Sequence, residues 1–469
     1  MWNLLDKGSR VAAIDDKGDK LLYNDLAELA EGFKGVACRK LCFNLCRNEL
    51  GSLAGYVSML EAETVPVMLA ADMDRELLVT LIKTYEPDYI WCRKEDADPI
   101  LDYIEICTEI FSKDYTLYKT IYTNDQPIYD ELALLLTTSG STGSPKFVRQ
   151  SYNNILANTL SIVNYLGIDD SERPITTLPM NYTYGLSIIN THIYVGATVL
   201  VTDKTLMDRG FWNFFKEEQA TSFGGVPYTY EILDKLRLTR MNLPSLKTMT
   251  QAGGKLSLEL HEKLAHFADE TNRKFVVMYG QTEATARMGY LPADKALEKI
   301  GSMGIAIPGG EFSLIDTDGS TITEPDVTGE LIYKGQNVTL GYAESREDLT
   351  KEDERGGTLI TGDMAKFDKD GYYYIVGRKK RFLKIYGKRV NLDEVDRLIK
   401  SHYPIFDTAS TGVDDKLKVY ITNAELCDSV RSFIASKTQI NLAAITVEYI
   451  EKIPRSESGK VLYTEISSK

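Results

Sequence analysis

The segment LLTTSGSTGSPKF, residues 135–147, gathers hydroxyl side chains, two glycines and one lysine in a single loop. Glycines let backbone N–H groups approach a phosphate closely, and hydroxyls and a lysine supply further donors. The spacing does not match the G-x-x-x-x-G-K-[ST] phosphate loop, because the fifth residue after Gly140 is Pro145. The composition still favours a polyphosphate site, with a flexible surface turn as the alternative. The candidate phosphate ligands are Thr138, Ser139, Gly140, Ser141, Thr142, Gly143 and Lys146.

A second segment, VVMYGQTEA at residues 276–284, places Thr282 and Glu283 just after a strand that ends at Tyr279. A carboxylate beside a hydroxyl at a strand end suits a Mg²⁺ ion that bridges phosphates. The alternative is a routine helix start, in which Glu283 serves only the first turn.

Three further segments carry polar or charged side chains that are candidates for chemistry. In TLITGDMAKF, Asp363 follows a strand-like run, a position from which it could accept hydrogen bonds from ribose hydroxyls. GRKKRFLKIYGKR, residues 377–389, is rich in basic side chains, a pattern more typical of a solvated face or a nucleic-acid patch. In IPRSESGK, Lys460 follows a glycine in a loop.

The elements that must position these groups alternate between helical patterns and short apolar runs. The runs TVPVML, DYIWC, ATVLV and RKFVVMY are spaced like the strands of stacked β-α units and predict an α/β core. After residue 300 the chain changes to short strands with frequent turns, and DKDG is a hairpin signal. NLDEVDRLIKSHY then predicts a helix with Asn391 as its N-cap, so a small α+β unit closes the chain.

Composition narrows the class of protein. The chain has 469 residues, 43% hydrophobic and 26% charged, which is typical of a globular protein with two to four folding units. A net charge of −14 argues against general nucleic-acid binding. No uninterrupted apolar run is long enough to span a membrane, and the first residues lack a signal-peptide pattern. We therefore expect a cytoplasmic protein without a membrane span.

Three cysteines recur at every fourth residue in ACRKLCFNLC, namely Cys38, Cys42 and Cys46. This spacing could align metal ligands on a helix, but no fourth ligand lies nearby and LCFNLC has the character of a buried strand. Structural cysteines are therefore favoured. The four histidines also lack metal-ligand spacing.

Taken in order, these motifs resemble those of the adenylate-forming, or AMP-binding, enzyme superfamily. This superfamily includes acyl-CoA synthetases, stand-alone adenylation enzymes and firefly luciferase. The resemblance covers nearly the whole chain, through LTTSGSTGSPK, YGQTE, GELIYKGQNVTLGY, TGD, GRKKRFLKIYGKRVNLDEVD and PRSESGK. It implies a large N-terminal AMP-binding domain, residues 1–379, made of α/β subdomains with a β-rich subdomain. A small mobile α+β domain, residues 380–469, would follow it.

The implied reaction has two halves at one site, with ATP, Mg²⁺ and coenzyme A or phosphopantetheine as cofactors. A carboxylic acid substrate attacks the α-phosphorus of ATP to give acyl-AMP and pyrophosphate, and a thiol then displaces AMP. The first half brings two anions together, so it needs a neutralising shell. The thiol would come from free coenzyme A or from an acyl carrier protein in trans, since no carrier domain is attached.

The resemblance also assigns roles by position in the motifs. Lys460 would be the catalytic lysine of adenylation, Thr282 would contact the α-phosphate, and Glu283 would bind Mg²⁺. The other assignments are Tyr279, Gly253 and Gly254 at adenine, Asp363 and Arg378 at the ribose, Lys380 at the hinge, Gly387 in the tunnel of the thiol arm, and Tyr182, Thr183 and Arg287 in the acyl pocket.

Some positions depart from the family pattern. Phe147 stands where relatives often have glycine, which could reshape the approach to the phosphates. Thr183 occupies the place where amino-acid-activating relatives carry Asp, so an α-amino acid substrate is disfavoured. Tyr182 and Thr183 could also be plain pocket wall. Arg287 could pair with a second acid or polar group on the substrate, or form a structural salt bridge.

Two other classes of function compete with an acid–thiol ligase. A catalytically reduced nucleotide-binding regulator would show decay at the Thr282–Glu283 or Lys460 motif, and none is visible. A luciferase-like oxygenase would need peroxide chemistry that no residue indicates. The joint presence of Glu283, Asp363 and Lys460 favours the ligase but does not identify the acid.

Overall fold

A computed structural model describes residues 1–137, 146–316, 318–386, 388–455 and 461–467 of the chain. The chain divides into two units. The first consists of Met1–Glu311 and Lys334–Leu359, and the second of Phe312–Tyr333 and Ile360–Lys469. The domain boundary expected after residue 379 stays a prediction.

Several helices begin at side chains that cap their first N–H groups. Asp74, Ser151 and Ser257 each accept a hydrogen bond from a backbone N–H three residues further on, which satisfies a donor that has no partner within the helix. The helices are α1 (Leu4–Lys7), α2 (Tyr23–Ala37), α3 (Leu50–Glu61), α4 (Arg75–Tyr85), α5 (Tyr152–Leu166), α6 (Thr183–Val195), α7 (Arg209–Glu217), α8 (Pro227–Lys235), α9 (Leu258–Glu270), α10 (Leu392–His402), α11 (Cys427–Thr438) and α12 (Tyr463–Ser467).

The strands are mostly short, and many have residues that are largely buried. They are β1 (Val11–Asp15), β2 (Lys20–Leu22), β3 (Leu41–Cys46), β4 (Val65–Ala70), β5 (Tyr89–Arg93), β6 (Ile104–Ser112), β7 (Tyr115–Thr120), β8 (Leu132–Thr137), β9 (Phe147–Ser151), β10 (Val199–Val201), β11 (Ser222–Gly225), β12 (Thr248–Gln251), β13 (Lys274–Tyr279), β14 (Gly289–Tyr290), β15 (Ile305–Ala306), β16 (Gly310–Ile315), β17 (Thr321–Ile322), β18 (Gly329–Gly335), β19 (Gly341–Ala343), β20 (Thr358–Phe367), β21 (Tyr373–Arg378), β22 (Phe382–Ile385), β23 (Lys388–Asn391), β24 (Thr408–Val413), β25 (Lys416–Ile421) and β26 (Ile445–Tyr449).

An eight-stranded sheet with the order β19-β9-β8-β4-β3-β5-β7-β6 forms one layer of the first unit. Its central strands β8, β4, β3 and β5 run parallel. Every residue of β3 is buried, as expected for a parallel strand that is covered on both faces. Apolar residues of α2 and α3 belong to one adjoining core, and those of α4 belong to another. The buried strand predicted for LCFNLC is confirmed.

A five-stranded sheet, β11-β12-β13-β14-β15, presents the ends of three parallel strands at one edge. Gly225, Gln251 and Val277 lie in register across β11, β12 and β13. Because parallel strands end at the same edge, the segments after Gln251 and Tyr279 emerge side by side. A smaller sheet, β10-β1-β2, completes the sheets of this unit.

The second unit has a hydrophobic core of its own. Val395, Ile399 and Val419 pack in a cluster built from residues 383–447. Its sheets are β22-β23 and β24-β25-β26, and β20 and β21 lie at one edge of the sheet β17-β16-β18-β20-β21. The hairpin predicted at DKDG joins β20 to β21, and the side chain of Asn391 caps α10 by accepting from the N–H of Asp393. These sheets and helices confirm the predicted α/β class.

Among the helices that the structure describes, none combines the length and apolar character needed to cross a bilayer.

Candidate active site

The segment after β13 holds Thr282 and Glu283 in a short 3₁₀ turn, Thr282–Ala284. Before this turn, a Cβ atom on Gly280 would lie 1.5 Å from the carbonyl oxygen of Ala286. Only glycine tolerates such a close approach of two backbone segments. Thr282 is buried and Glu283 is half-buried, so both stand at the strand end where the sequence placed them.

The backbone is strained directly after this turn. Thr285 and Ala286 have φ angles of 57° and 126°, and such conformations cost a non-glycine residue about 1–3 kcal/mol. The side-chain amide of Asn337 donates to the carbonyl oxygens of Ala284 and Arg287, over 2.8 Å in each case. Asn337 therefore holds the strained segment at both of its ends. Sequence reasoning missed this residue, although it lies in the motif GELIYKGQNVTLGY.

Glu283 belongs to a cluster of charged and aromatic groups. The hydroxyl of Tyr342 donates to Glu283 Oε1 over 2.8 Å. Burial, together with the charge of Glu283, raises the pKa of Tyr342 to about 12, so this hydroxyl keeps its proton at neutral pH. The Nζ atom of Lys146 lies 4.1 Å from the centre of the Tyr342 ring. The structure thus brings the predicted Lys146 and Glu283 to the same tyrosine.

Arg355 is a second cation in this cluster. Its guanidinium carbon lies 4.7 Å from the centre of the Tyr342 ring. Its Nη1 atom donates to the backbone oxygen of Glu283 over 3.0 Å and to Thr339 Oγ1 over 2.6 Å. Neither Arg355 nor Tyr342 was predicted, and only Tyr342 had a signal, as the last residue of a quoted motif. Two cations on the tyrosine that bonds the Glu283 carboxylate suit a ligand with several negative charges.

Glu283 is chemically suited to a Mg²⁺ ion. Magnesium in phosphate-transfer sites is usually held by one or two carboxylates together with phosphate oxygens and waters, rather than by an all-protein cage. Among the residues that the structure describes, no group of three or more His, Cys, Asp or Glu side chains could form such a cage. The single carboxylate at Glu283 therefore fits an ion that arrives with a phosphate ligand.

The predicted adenine and acyl residues meet at Gly253, in the segment after β12. Its φ angle is 82°, and a Cβ atom there would lie 2.6 Å from the Tyr182 hydroxyl. The buried side chain of Gln251 donates to the carbonyl oxygen of Gly254 over 2.9 Å and shapes the same turn. A larger residue at position 253 would displace Tyr182. Tyr279, which was also predicted at adenine, is the last residue of β13, the strand next to β12.

Arg287 lies in a different environment, against a cavity of about 110 Å³ between α5, α6 and the sheet β11-β12-β13. Its side chain is 2% exposed, and its guanidinium carbon lies 3.9 Å from the centre of the Tyr184 ring. The structural salt bridge that the sequence left open is not found in the part of the chain that the structure describes. From α6 the cavity is lined by Tyr184 and Ser187, rather than by the predicted Tyr182 and Thr183.

The second unit contains the predicted ribose residues. Arg378 Nε lies 3.3 Å from Asp363 Oδ1, because the two residues are paired across β20 and β21. The sequence placed Asp363 after a strand, but it lies inside β20. The positive φ angle of Gly362 and a register shift after Met364 distort the strand without ending it. The ribose role of this pair stays a prediction.

The remaining predicted residues are placed only in part. Lys380 lies in the 3₁₀ turn Lys379–Arg381. The predicted residues outside the described part of the chain are Thr138, Ser139, Gly140, Ser141, Thr142, Gly143, Gly387 and Lys460.

Sequence comparison gives a family match. A family model described as AMP-binding enzyme matches residues 6–343. Among curated proteins, peroxisomal OPC-8:0-CoA ligase 1 of Arabidopsis thaliana is 30% identical over 352 residues, which are 72% of this chain and 64% of that protein. The chain therefore matches less than two thirds of the length of this relative.

Two solved structures share the fold. ATP-bound MatB from Rhodopseudomonas palustris is 22% identical, with a TM-score of 0.79 over 99% of this chain and 97% of that chain. O-succinylbenzoate coenzyme A synthetase from Bacillus subtilis, in complex with ATP and magnesium ion, is 21% identical, with a TM-score of 0.79 over 99% of each chain. At these identities the likeness concerns the fold alone.

Proposed function

Because this chain belongs to the AMP-binding enzyme family, as its ordered motifs predicted, we propose that it is an ATP-dependent acid–thiol ligase. In the first half-reaction, a carboxylate oxygen of the acid bonds to the α-phosphorus of ATP and pyrophosphate leaves. In the second, the sulfur of coenzyme A bonds to the acyl carbon, AMP leaves, and the thiol proton passes to solvent. The curated relative carries a CoA ligase name, which supports this reaction class.

The observation that carries the proposal is the cluster at Glu283. Lys146 and Arg355 both lie against Tyr342, whose hydroxyl donates to the Glu283 carboxylate. These cations lower the repulsion between an incoming carboxylate and a triphosphate, because charge neutralisation is the main requirement of the first step. Thr282, next to Glu283, would then contact the α-phosphate.

Mg²⁺ is the metal that this site would hold, through Glu283 and the phosphates of ATP. When bound, it supplies Lewis-acid polarisation of phosphoryl oxygens. Tyr342 orients the Glu283 carboxylate by its hydrogen bond, and Arg355 holds the backbone oxygen of the same residue. The ATP and magnesium ion in the B. subtilis neighbour are consistent with this assignment.

The finer details of nucleotide and acid binding are also proposals. The loop 138–143 would cradle pyrophosphate, Tyr279 and Gly253 would bound adenine, and Asp363 with Arg378 would bind the ribose. Since Thr183 stands where amino-acid-activating relatives carry Asp, the acid lacks an α-amino group. Cytoplasmic location is likewise proposed, and a fluorescent fusion imaged with an organelle marker would test it.

Two poses of a C-terminal domain, residues 380–469, would separate the two half-reactions. Lys460 would serve adenylation, and the loop at Gly387 would serve the entry of the thiol arm after rotation about Lys380. The separate hydrophobic core around Val395 and Ile399 supports a segment that moves as one body. Coenzyme A is the proposed thiol, and a carrier-protein pantetheine supplied in trans is the alternative.

The reaction class is tested by ATP–pyrophosphate exchange across short, long, aryl, hydroxy, dicarboxylic and amino acids, followed by thioester detection with coenzyme A. We expect exchange that requires both Mg²⁺ and a carboxylic acid without an α-amino group. We also expect AMP release when coenzyme A is added. ATP binding in calorimetry without exchange for any acid would instead indicate a nucleotide-binding regulator.

The two-pose mechanism is tested by single-turnover kinetics of each half-reaction. Lys460→Ala should slow acyl-AMP formation about 10²–10³-fold, as the loss of one preorganised donor does, and leave transfer from pre-made acyl-AMP intact. Gly387→Leu should do the opposite, because a side chain there would block the thiol arm. Lys380→Pro should impair only one half, since proline fixes φ near −65°. Equal slowing of both halves by the first two variants would rule out two poses.

A further inference from the structure

The cavity at Arg287 is lined in part by the segment that also carries Thr282 and Glu283. It is bounded by Tyr184, Ser187 and Ile188 of α6 and by Thr250 and Met278 of the neighbouring sheet. Arg287 is four residues after Glu283 in the strained segment that follows β13. A molecule that contacts Arg287 in this cavity would therefore contact the same short segment that carries Thr282 and Glu283, the residues proposed for the α-phosphate and Mg²⁺.

Arg287 carries a charge without a neutralising partner. Its Nε atom lies 3.4 Å from the sulfur of Met278, and its guanidinium stacks on the Tyr184 ring. No carboxylate within the described part of the chain forms an ion pair with it. Burying an arginine without an anion is costly, and an anion bound in this cavity would remove that cost.

The other titratable groups around the cavity are placed differently, and Lys274 among them is exposed and donates to the backbone oxygen of Leu166 over 3.0 Å. Burial lowers the pKa of His192 to about 4, so its ring is neutral near pH 7. Lys247 is half exposed and lies 3.5 Å from Glu172, which already balances its charge. Burial raises the pKa of Tyr184 to about 12 against the opposing effect of Arg287, so Tyr184 is a neutral aromatic neighbour.

Building on the proposed ligase function, we propose that the activated acid carries a second carboxylate, which binds Arg287 inside this cavity while the first carboxylate reacts with ATP. The planar guanidinium suits a carboxylate because it can donate two parallel hydrogen bonds to it. The Tyr184 hydroxyl is engaged with Thr250 Oγ1 over 2.8 Å, so the ring stays fixed as a wall beside the anion. The substrate is therefore a dicarboxylic acid with a linker short or compact enough to fit.

The test compares each dicarboxylic acid with its own ω-amide, which has nearly the same shape and no second charge. The probes are the linear acids from malonic to suberic and the three benzenedicarboxylic acids. ATP–pyrophosphate exchange gives kcat/KM for each pair. In the wild-type protein we expect at least one diacid to exceed its amide by about 10- to 100-fold, the range of a hydrogen-bonded charge pair.

Arg287→Met removes the charge and keeps an unbranched side chain, and Arg287→Lys keeps the charge without the planar fork. We expect the ratio of diacid to amide to fall to near one in Arg287→Met, with the amide unchanged or improved, and to be intermediate in Arg287→Lys. The matched control is Lys263→Met, which removes a cation of α9 that is paired with Asp234 outside the cavity and should leave the ratio unchanged. Circular dichroism and thermal unfolding of each variant establish that it is folded.

Calorimetric binding of the same acids separates this proposal from the reaction class. A diacid that binds the wild type more tightly than its amide, and loses this advantage in Arg287→Met, supports the anion site. If at the same time no acid drives exchange, only the ligase function is overturned. Exchange driven equally by diacids and amides, or an equal loss for both in Arg287→Met, would overturn the anion site and leave the ligase function standing. Absence of any diacid preference in both assays would also overturn it.

Discussion

Replacing Asn337 with alanine should disable the site by releasing the strained segment after Glu283. The Asn337 side chain is 3% exposed and donates two hydrogen bonds of 2.8 Å to the carbonyl oxygens of Ala284 and Arg287. Each such bond contributes about 0.5–1.5 kcal/mol, and a buried carbonyl left without a donor costs about 1–3 kcal/mol. The Arg287 oxygen still accepts from Asn158 over 2.9 Å, so Ala284 is the one left short of a donor.

Loss of the bond to Arg287 together with the orphaned Ala284 oxygen costs about 1.5–4.5 kcal/mol in the native geometry. Part of it is recovered when Ala286 relaxes from its φ angle of 126°, since such strain is worth about 1–3 kcal/mol. The loss in the free energy of unfolding should therefore be smaller than the cost of keeping the segment in its active conformation. At about 1.4 kcal/mol per tenfold change, adenylation should slow about 10- to 1000-fold, while the protein loses about 1–2 kcal/mol of stability.

The assay pairs kcat/KM for ATP–pyrophosphate exchange with urea unfolding at the same temperature. Asn190→Ala is the matched control, because Asn190 is also a buried amide, accepts one hydrogen bond of 2.8 Å from Tyr56, and lies in α6 outside the described cluster. The control should lose comparable stability and keep its activity. The reasoning fails if Asn337→Ala keeps wild-type kcat/KM, or if both variants lose activity in proportion to their loss of stability.

Three further changes test other parts of the molecule. Tyr342→Phe removes the hydroxyl that donates to Glu283. It should raise the Mg²⁺ concentration for half-maximal exchange about tenfold, since a hydrogen bond to a charged group contributes about 1.5–3 kcal/mol. An unchanged Mg²⁺ titration would contradict this prediction. Asp363→Ala should weaken ATP binding in calorimetry about 10- to 100-fold through lost ribose contacts, and unchanged binding would show that the motif misassigned it. Arg381→Met breaks ion pairs with Asp393 and Asp396, at 2.8 and 3.0 Å. It should destabilise the C-terminal segment by about 3–5 kcal/mol, and amide hydrogen exchange in that segment at the wild-type rate would refute this expectation.

Local patterns allowed the positions along the chain to be predicted well. The strand at LCFNLC, the end of β13 at Tyr279, the DKDG hairpin and the Asn391 cap depend on residues close in sequence. Periodicity and turn chemistry determine such features. The order of the motifs is also visible in the sequence alone, and it identified the family.

Contacts between distant segments could not be predicted in this way. Tyr342 reaches Glu283 because β19 pairs with β9 in a register that sets Tyr342 opposite Val148, and no local pattern specifies that pairing. The burial of Arg287 has the same origin, since its neighbours Tyr184 and Met278 come from α6 and β13. Asp363 was misplaced because a positive φ angle at Gly362 was compatible with continuation of the strand.

One short segment would serve both proposed substrates, and this would account for its strain. Glu283 stands at one end, beside the groups that would hold the phosphates, and Arg287 stands at the other, against the cavity proposed for the acid. A relaxed backbone between them would change the separation of these two side chains, so the strain at Ala286 fixes their spacing. Asn337 is bonded to the backbone near both ends. Loosening it should therefore raise KM for the acid as well as for MgATP, whereas Tyr342→Phe should affect MgATP alone.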